Sequence, residues 1–225
     1  MSSQGIAALA IQVDVQDKGY LRTKRVVDLV LSAMALLILS PVLAVLALLI
    51  KLHSAGPVIF RQTRVGKDGR PFTFLKFRSM CHNADVSIHR DHVAALIAGH
   101  DQAPANGKSA KLERDPRITG LGRILRKTSI DELPQLINVL RGDMSLVGPR
   151  PAIPYEVELY QEWHKQRLKV SPGITGWWQV RGRNLVSFDD AVAMDLYYIE
   201  HLSLGMDLKI LLMTPFAVLK GKGAG

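Results

Sequence analysis

Residues 29–50 read LVLSAMALLILSPVLAVLALLI, an apolar run with a single Ser-Pro pair at its centre. About 20 such residues are enough to cross a bilayer as a helix. Basic residues stand on both sides of the run: Lys24, Arg25, Lys51, Arg61, Arg64 and Lys67. A spanning helix usually has its positive charge concentrated on the cytoplasmic side. The charge on both flanks therefore predicts that both ends of the run stay on that side.

The Ser40-Pro41 pair is the predicted turning point of this run. Proline removes a helix hydrogen bond and kinks the chain. Each half of the run would be about 15–20 Å long at 1.5 Å per residue, too short to span. The Ser40 hydroxyl could satisfy a backbone group freed at the break. We predict a re-entrant helix-break-helix over residues 23–52, entering the cytoplasmic leaflet and turning back.

The apolar run has three other interpretations. A single-span helix with a proline at mid-membrane stays open, because proline is tolerated in such helices. A cleaved signal peptide is disfavoured, because the run exceeds an h-region of about 7–15 residues and no small-x-small pair follows it. A buried helix of a soluble protein is disfavoured because such helices seldom lack polar residues over this length.

The composition is basic, with 29 Lys and Arg against 20 Asp and Glu in 225 residues, a net charge of +9. Such a balance suits nucleic acid, an anionic membrane surface or phosphate-rich substrates. The apolar run favours the membrane, where each nearby basic residue gains about 1 kcal/mol. Aromatic residues make up only 6% and no nucleic-acid module is recognisable, so we expect no nucleic-acid partner. No G-x-x-x-x-G-K-[ST] loop is present, which disfavours a nucleotide hydrolase.

Cys81 is the one cysteine of the chain. No intrachain disulfide can form, which agrees with a reducing, cytoplasm-facing domain. We interpret Cys81 as a small packing residue. Asp85, His89 and His92 follow at helical spacing, just after His82. They complete no metal-binding signature, so solvated surface histidines are the favoured interpretation.

The predicted fold class is α+β and mostly helical. A β-hairpin is expected over residues 58–80, around the Asp68-Gly69 turn, because apolar and polar residues alternate on both sides of it. Helices are predicted at 83–98, 129–142, 154–169, 188–201 and 207–219, with a polar linker at 101–107. The 207–219 helix is strongly apolar but short, and it could lie in the membrane interface or in the core. Residues 1–22 receive no function, and 53–225 form the predicted cytoplasmic domain, with interfacial helices around it.

The motif TSIDELP, residues 128–134, is the candidate for chemistry. On local pattern alone, Ser129 and Glu132 read as a capping box, with Asp131 complementing the helix dipole. The functional alternative uses the same features, because a helix N-terminus attracts phosphates. A carboxylate placed there should have a low pKa, and it could bind a divalent cation or attack phosphorus. Neighbouring helical residues point about 100° apart, so Asp131 and Glu132 should have different roles.

Basic residues cluster around this motif in the sequence, many of them beside glycine or proline. Arginines presented from such turns suit bidentate phosphate contacts. As a group they predict a polyanionic ligand without identifying it. The members are Arg117, Arg123, Arg126, Lys127, Arg141, Arg150, Arg181 and Arg183.

These residues make the chain resemble the bacterial sugar transferases known as monotopic polyprenyl-phosphate phosphoglycosyl transferases. The likeness runs from about Lys24 to Leu219, and the stretch around TSIDELP is its most specific part. Four stretches carry it: Lys24-Arg25 through Asp28 to Ser40-Pro41, GPVIFRQ to KFRSM (56–80), DPRIT through SIDELPQL to GDMSLVGPRP (115–151), and PGITGW (172–177).

The resemblance implies a role for individual residues. Asp131 matches the family nucleophile, with Mg²⁺ expected beside it, and Glu132 matches its partner carboxylate. Pro149-Arg150-Pro151 matches a motif linked to the uridine end of the donor. Further substrate contacts are implied for Lys76, Arg126 and Arg183. The membrane hairpin is implied to start at Lys24, Arg25 and Asp28 and to break at Ser40 and Pro41.

The resemblance also implies the reaction and its place. The expected enzyme moves a sugar phosphate from a UDP-sugar to polyprenol (undecaprenyl) phosphate and releases UMP, on the cytoplasmic face of the bacterial inner membrane. Membrane lipid is a further expected partner, and a homodimer is left open. Ser171, Trp178 and Arg181 depart from the family pattern, and these departures bear on the sugar preference. The sequence identifies neither the sugar nor the glycan pathway. The chain has no large N-terminal multi-span region, so a minimal catalytic form is expected.

A membrane-tethered scaffold is the alternative function. Its basic face would bind anionic lipid or a partner protein. It predicts that no nucleotide sugar yields UMP.

Overall fold

The long apolar run forms one continuous helix, α1 (Lys18–His53), with Pro41 inside it. A computed structural model describes residues 18–81, 87–97, 117–181 and 186–219 of the chain. The two half-helices expected on either side of Ser40-Pro41 are thus joined without a non-helical break. The reason lies in Ser40, whose Oγ donates a hydrogen bond to the Leu37 carbonyl at 2.8 Å. That carbonyl is the one deprived of a donor by Pro41, so the predicted compensation by Ser40 is confirmed. The re-entrant path itself stays a prediction.

Most of α1 is uncovered by the rest of the molecule. Among the described residues it is the one helix long and apolar enough to cross a membrane, and only 6% of its most apolar 18-residue window is buried. Exposed apolar side chains line it: Val30, Leu31, Met34, Leu37, Ile38, Val42, Val45, Leu48 and Leu49. A helix of a soluble core would bury such residues, because each gains about 1.5–3 kcal/mol on leaving water.

Both ends of α1 dock on the domain that follows it. Near the start, Arg25 donates hydrogen bonds to the carbonyls of Val139 and Leu140 at 2.6 and 3.0 Å. The Asp28 carboxylate accepts the Leu146 N–H at 3.1 Å. These basic and acidic residues, predicted to mark the start of the membrane hairpin, anchor the helix to the domain.

The far end of α1 is held by Arg78. Its Nη2 donates to the carbonyls of Ile50 and Ser54 at 3.1 and 2.7 Å, which ties the last turn of the helix and the residue after it to the end of β2. Ile50 is buried against Phe77 and Leu125. The two ends of the apolar run therefore meet the same domain.

The predicted hairpin is confirmed as β1 (Ile59–Val65) and β2 (Pro71–Phe77), paired antiparallel from Ile59 opposite Phe77 to Val65 opposite Pro71. The turn needs two left-handed residues, Asp68 (φ 54°) and Gly69 (φ 77°), and both residue types tolerate that region. A parallel pair, β3 (Ser145–Val147) and β4 (Gly173–Thr175), was not predicted. Strands of three residues are too short to show an alternating pattern.

The helices agree with the predictions at some positions and differ at others. Helix α2 (Ser87–Ile97) lies within the predicted 83–98; the other residues of that prediction and the 101–107 linker lie outside the described residues. Helix α3 spans Gly120–Lys127. The predicted 129–142 helix is a 3₁₀ turn (Ile130–Glu132) followed by α4 (Gln135–Arg141). Its predicted end is confirmed, because Gly142 caps α4 at φ 90°.

The single helix predicted at 154–169 is wrong. The segment contains α5 (Pro154–Glu158), α6 (Glu162–Lys165) and a 3₁₀ turn (Gln166–Lys169). The chain leaves the helical region at Gln161, whose ψ is 163°. This break turns Tyr160 into the interior, where its hydroxyl accepts a hydrogen bond from buried Arg167 at 3.1 Å.

The C-terminal part comprises α7 (Trp177–Arg181), α8 (Phe188–Glu200) and α9 (Leu204–Leu219). Helix α8 confirms the 188–201 prediction, and Ser187 caps it by accepting the Asp190 N–H. Helix α9 starts three residues before the predicted 207. Its inner face packs into the largest apolar cluster through Ile210, and its outer face exposes a row of apolar side chains: Leu204, Leu208, Leu212, Phe216 and Leu219. One face of α9 thus belongs to the core.

Asn138 is fully buried and ties α4 to β2. Its Nδ2 donates to the Thr73 carbonyl at 2.7 Å and to Asp143 at 3.1 Å, and its Oδ1 accepts the Leu75 N–H at 3.1 Å. We expect Asn138→Ala to lower the free energy of unfolding by about 3 kcal/mol, since buried partners lose their bonds. Denaturant unfolding of the detergent-solubilised protein measures this.

Thr128→Ala is the control for this substitution. Its hydroxyl bonds within its own exposed helix turn, so a change below about 0.5 kcal/mol is expected. Equal stability of the two variants would contradict the assigned role of Asn138.

Candidate active site

Asp131 and Glu132 lie on the 3₁₀ turn that precedes α4. The capping box expected from Ser129 and Glu132 does not form. Ser129 adopts the left-handed conformation, at φ 55°, and its side chain accepts no capping hydrogen bond. Helix α4 begins only at Gln135, so the Glu132 side chain is free to face β2. A left-handed serine is uncommon, and such strain tends to occur at functional sites.

Lys76 of β2 lies between the two carboxylates. Its Nζ is 2.6 Å from Glu132 Oε1 and 3.8 Å from Asp131 Oδ2. Asn138 holds β2 just before this lysine's strand position, through Thr73 and Leu75. The structure therefore brings together three residues that the sequence predicted separately.

The two carboxyl groups differ in their electrostatics. Burial raises the pKa of Asp131, and the charge of Glu132 raises it further, while Lys76 and Arg126 act in the opposite direction. For Glu132, burial alone would raise the pKa, but the charges of Lys76 and Arg150 outweigh it and lower the pKa. The predicted low pKa is thus confirmed for Glu132 and wrong for Asp131. The main reason is burial, because Asp131 is only 5% exposed and burial disfavours the charged carboxylate. In addition, Asp131 lies before α4 rather than in its first turn, where the helix N-terminus would have favoured the charge.

This pair suits two different chemical tasks. Glu132 is held as an anion by its ion pair. Asp131 is poorly solvated, so its ionised form would be a stronger nucleophile than a carboxylate surrounded by water.

The Pro149-Arg150-Pro151 loop is fixed through its carbonyls. Arg64 donates to the Pro151 carbonyl at 3.0 Å and Arg167 donates to the Arg150 carbonyl at 3.4 Å. The Arg150 side chain stays exposed, and its charge acts on Glu132. Beside the loop lies a shallow recess lined by Gly66, Pro149, Arg150, Pro151, Arg167 and Pro172, among others.

Arg126 stands at the end of α3, before the 3₁₀ turn. Its charge favours ionisation of Asp131. Lys76, Arg126 and Arg150 therefore act electrostatically on the carboxylate pair, as their predicted role in binding an anionic substrate requires.

Other predicted residues are placed elsewhere or not described. Arg183 lies outside the described residues, and so do the side chains of the metal candidates Asp85, His89 and His92. Cys81 is exposed, so its interpretation as a packing residue is wrong. Its N–H donates to the Arg117 carbonyl at the end of the hairpin, which leaves the side chain outside the core.

The carboxylate pair fits Mg²⁺ only with help from a ligand. Across residues 18–81, 87–97, 117–181 and 186–219, no three His, Cys, Asp or Glu side chains form a group that could hold a metal ion. Mg²⁺ is commonly bound by one or two carboxylates together with substrate phosphates. Asp131 and Glu132 meet that requirement if a phosphate supplies the remaining oxygens.

The sequence assigned no role at this site to three of its residues, Arg64, Asn138 and Arg167, although Arg64 was counted among the basic residues that flank the apolar run. Arg167 forms a buried ion pair with Asp195 at 2.5 Å, and these partners are 28 positions apart. No local pattern signals such a contact. A buried arginine needs a partner, but the sequence does not show which arginines are buried.

Comparison with known proteins places these observations in a family. The sequence model of the family described as bacterial sugar transferase matches residues 19–221. The undecaprenyl-phosphate galactose phosphotransferase of Salmonella typhimurium (strain LT2) is 42% identical over 223 residues, which are 99% of this chain and 46% of the relative.

Two further relatives differ in length. The UDP-glucose:undecaprenyl-phosphate glucose-1-phosphate transferase of Escherichia coli (strain K12) is 44% identical over 209 residues, covering 89% of this chain and 41% of the relative. The exopolysaccharide production protein ExoY of Sinorhizobium fredii is 39% identical over 202 residues, covering 90% of this chain and 88% of the relative. This chain thus spans about half the length of the Salmonella and Escherichia relatives and most of the length of ExoY.

Proposed function

The chain belongs to the bacterial sugar transferase family, and on that premise we propose that it moves a sugar phosphate from a UDP-sugar to polyprenol phosphate, releasing UMP. The observation that carries the proposal is the buried Asp131 carboxylate beside the Lys76–Glu132 ion pair. The names of the Salmonella and Escherichia relatives support the substrate classes. Such a transfer would be the first membrane step of a glycan assembly.

The proposed reaction has two steps on Asp131. Its carboxylate oxygen attacks the β-phosphorus of the UDP-sugar, and the bond from that phosphorus to the bridging oxygen breaks. UMP leaves with the bridging oxygen, and the sugar phosphate stays on the carboxylate as an acyl phosphate. A phosphate oxygen of polyprenol phosphate then attacks the same phosphorus. The acyl-phosphate bond breaks, Asp131 is restored, and polyprenyl-diphosphate-sugar is the product.

The other residues act on charge and position. Lys76, Arg126 and Arg150 would neutralise the negative charge of the diphosphate. Such electrostatic stabilisation supplies most of the catalysis in phosphoryl transfer. Pro149, Arg150 and Pro151 would take the uridine end, and Arg183 a phosphate. Asp131 would hold Mg²⁺, which when bound supplies further positive charge at the phosphates.

The proposed place is the cytoplasmic face of the bacterial inner membrane. The docking of both ends of α1 on one domain supports a re-entrant path, because Arg25 and Arg78 hold those ends on the same body. Residues 29–50 would then lie in the cytoplasmic leaflet. The exposed row on α9 would lie along the interface. This placement would hold Asp131 near the depth of a lipid phosphate.

Release of UMP tests the proposal. The purified full chain is incubated with Mg²⁺, polyprenol phosphate and each of several UDP-sugars. We expect one donor or a few to yield UMP in step with polyprenyl-diphosphate-sugar. A membrane-tethered scaffold would yield UMP with none of them.

Glu132→Gln is expected to lower kcat by about 10²- to 10³-fold, because Lys76 loses its ion-pair partner and the site loses a fixed negative charge. The change also removes one charge that raises the pKa of Asp131, so the acid limb of the pH–rate profile should move to lower pH. Glu200→Gln, at the exposed end of α8, is the matched control. An unaltered rate in Glu132→Gln would remove this residue from the mechanism.

A further inference from the structure

Two cations converge on the ring of Trp177. The Arg181 guanidinium carbon lies 5.0 Å from the ring centroid and the Lys209 ammonium 5.3 Å from it. Both side chains are exposed at the surface. Within the described ranges neither of them is paired with a carboxylate. Since two cations on one ring repel each other, the position favours a bound anion.

An aromatic stack extends from the same ring. Tyr197 stacks on Trp177 with centroids 6.1 Å apart, and His201 stacks on Tyr197 at 4.1 Å. Tyr197 is 46% exposed. We name these five residues the Trp177 patch: Trp177, Arg181, Tyr197, His201 and Lys209. Trp177 itself is only 9% exposed and belongs to the largest apolar cluster, so Tyr197 is the exposed ring of this pair. An exposed tyrosine beside basic residues is typical of positions at the depth of lipid headgroups.

Apolar side chains lie directly beside the patch. Leu208 and Leu212 are 57% and 62% exposed on α9, and Lys209 neighbours Leu212, three residues on, along the helix surface. A lysine at the edge of such a row can keep its ammonium at the headgroups while its neighbours enter the acyl region.

The patch also lies near the start of the apolar run. Asp207, one helix turn before Leu211 on α9, accepts hydrogen bonds from Tyr20 and Lys24 of α1 at 2.9 and 2.8 Å. A membrane that takes up the exposed residues of α1 therefore brings its headgroups to the first turns of α9.

From this arrangement we infer that the Trp177 patch binds the headgroup of an anionic phospholipid. The lipid phosphate is held by Arg181 and Lys209 against Trp177, and its chains contact Leu208 and Leu212. Arg181 belongs to the basic group that the sequence predicts to bind a polyanion, but the site uses no residue to which the proposed transfer reaction gives a role. This inference rests on the proposed membrane placement of α9. It goes further, because it states that the protein prefers anionic phospholipid over neutral phospholipid, which the placement alone does not require.

Quenching of tryptophan fluorescence tests the site. The full chain is placed in phosphatidylcholine nanodiscs that contain a small fraction of acyl-brominated lipid, either phosphatidylglycerol or phosphatidylcholine. Each cation is expected to enrich the anionic lipid about fivefold locally, so the two together should enrich it about 25-fold. About 1 mol% of brominated phosphatidylglycerol should then quench as much as about 25 mol% of brominated phosphatidylcholine. Trp177→Phe should remove the preferentially quenched part of the emission.

The variant pair R181Q/K209Q should quench equally with both brominated lipids, and R70Q/K165Q, which removes two exposed cations elsewhere, should keep the preference. Equal quenching of the wild type by the two lipids would overturn the site. An unchanged preference in R181Q/K209Q, with a raised KM for the UDP-sugar, would also overturn it and assign the cations to a soluble diphosphate.

Failure of this inference is separable from failure of the proposed function. Quenching by neither lipid would remove the patch from the membrane, yet UMP release and labelling of Asp131 would be unaffected. Loss of UMP release in wild-type protein that still shows the lipid preference would reject the transferase and keep the site.

Discussion

Asp131→Asn is expected to lower the rate of UMP release by about 10⁴-fold or more, the scale seen when a nucleophile is removed. The amide keeps the shape of the side chain but has no ionisable oxygen to attack phosphorus. Because Asp131 is buried, water cannot easily take its place. The rate is measured with the preferred UDP-sugar, Mg²⁺ and polyprenol phosphate.

Asp68→Asn is the matched control for this experiment. It makes the same chemical change in the exposed hairpin turn, where Asp68 has φ 54°, a region that asparagine also tolerates. Its activity should equal that of the wild type. Asp131→Ala, which cannot revert by deamidation, should be as inactive as Asp131→Asn. Near-normal turnover in both Asp131 variants would exclude covalent catalysis by this residue.

Lys76→Met is expected to lower kcat/KM by about 10²- to 10³-fold, because a charge at the phosphates is lost. It should also change the pH dependence. The Lys76 cation lowers the pKa of Asp131, so its removal raises that pKa further. Asp131 must be ionised to attack, so activity falls as the pH falls through this pKa. The acid limb of the pH–rate profile should therefore move to higher pH, opposite to the shift expected for Glu132→Gln.

Lys76→Arg separates charge from geometry. The arginine keeps the positive charge, so the acid limb should stay near the wild-type position even where the rate is reduced. If Lys76→Met lost activity without any movement of the acid limb, the electrostatic coupling of Lys76 to Asp131 would be wrong.

Much of the architecture could be predicted because it depends on local pattern. The apolar run became α1, and the Asp68-Gly69 turn became the hairpin. The role of Ser40 could also be anticipated, since a proline frees the carbonyl four residues before it. The end of α4 at Gly142 followed from the same kind of local rule.

The errors arose where tertiary contacts override local preference. Ser129 and Glu132 fit a capping box, yet Glu132 pairs with Lys76 across 56 positions of sequence, and the chain adopts a left-handed serine to allow it. Burial of Asp131 reversed the pKa direction expected from a helix N-terminus. The segment predicted as one helix at 154–169 breaks at Gln161, and the break places Tyr160 in the interior, where it bonds Arg167.

The candidate site was predicted in its residues rather than in its geometry. The TSIDELP motif and the Pro149-Arg150-Pro151 loop were identified from the sequence. The supports of both, Asn138 and Arg167, were not, because their partners lie far away along the chain.

The mass of the protein after incubation with donor alone tests the central claim most directly. Wild-type chain is given Mg²⁺ and the preferred UDP-sugar without polyprenol phosphate, quenched and digested. The peptide that contains Asp131 should gain the mass of one sugar phosphate, and polyprenol phosphate should remove it as polyprenyl-diphosphate-sugar forms. An unmodified Asp131 peptide in an enzyme that turns over, or a sugar phosphate attached to another residue, would contradict the account.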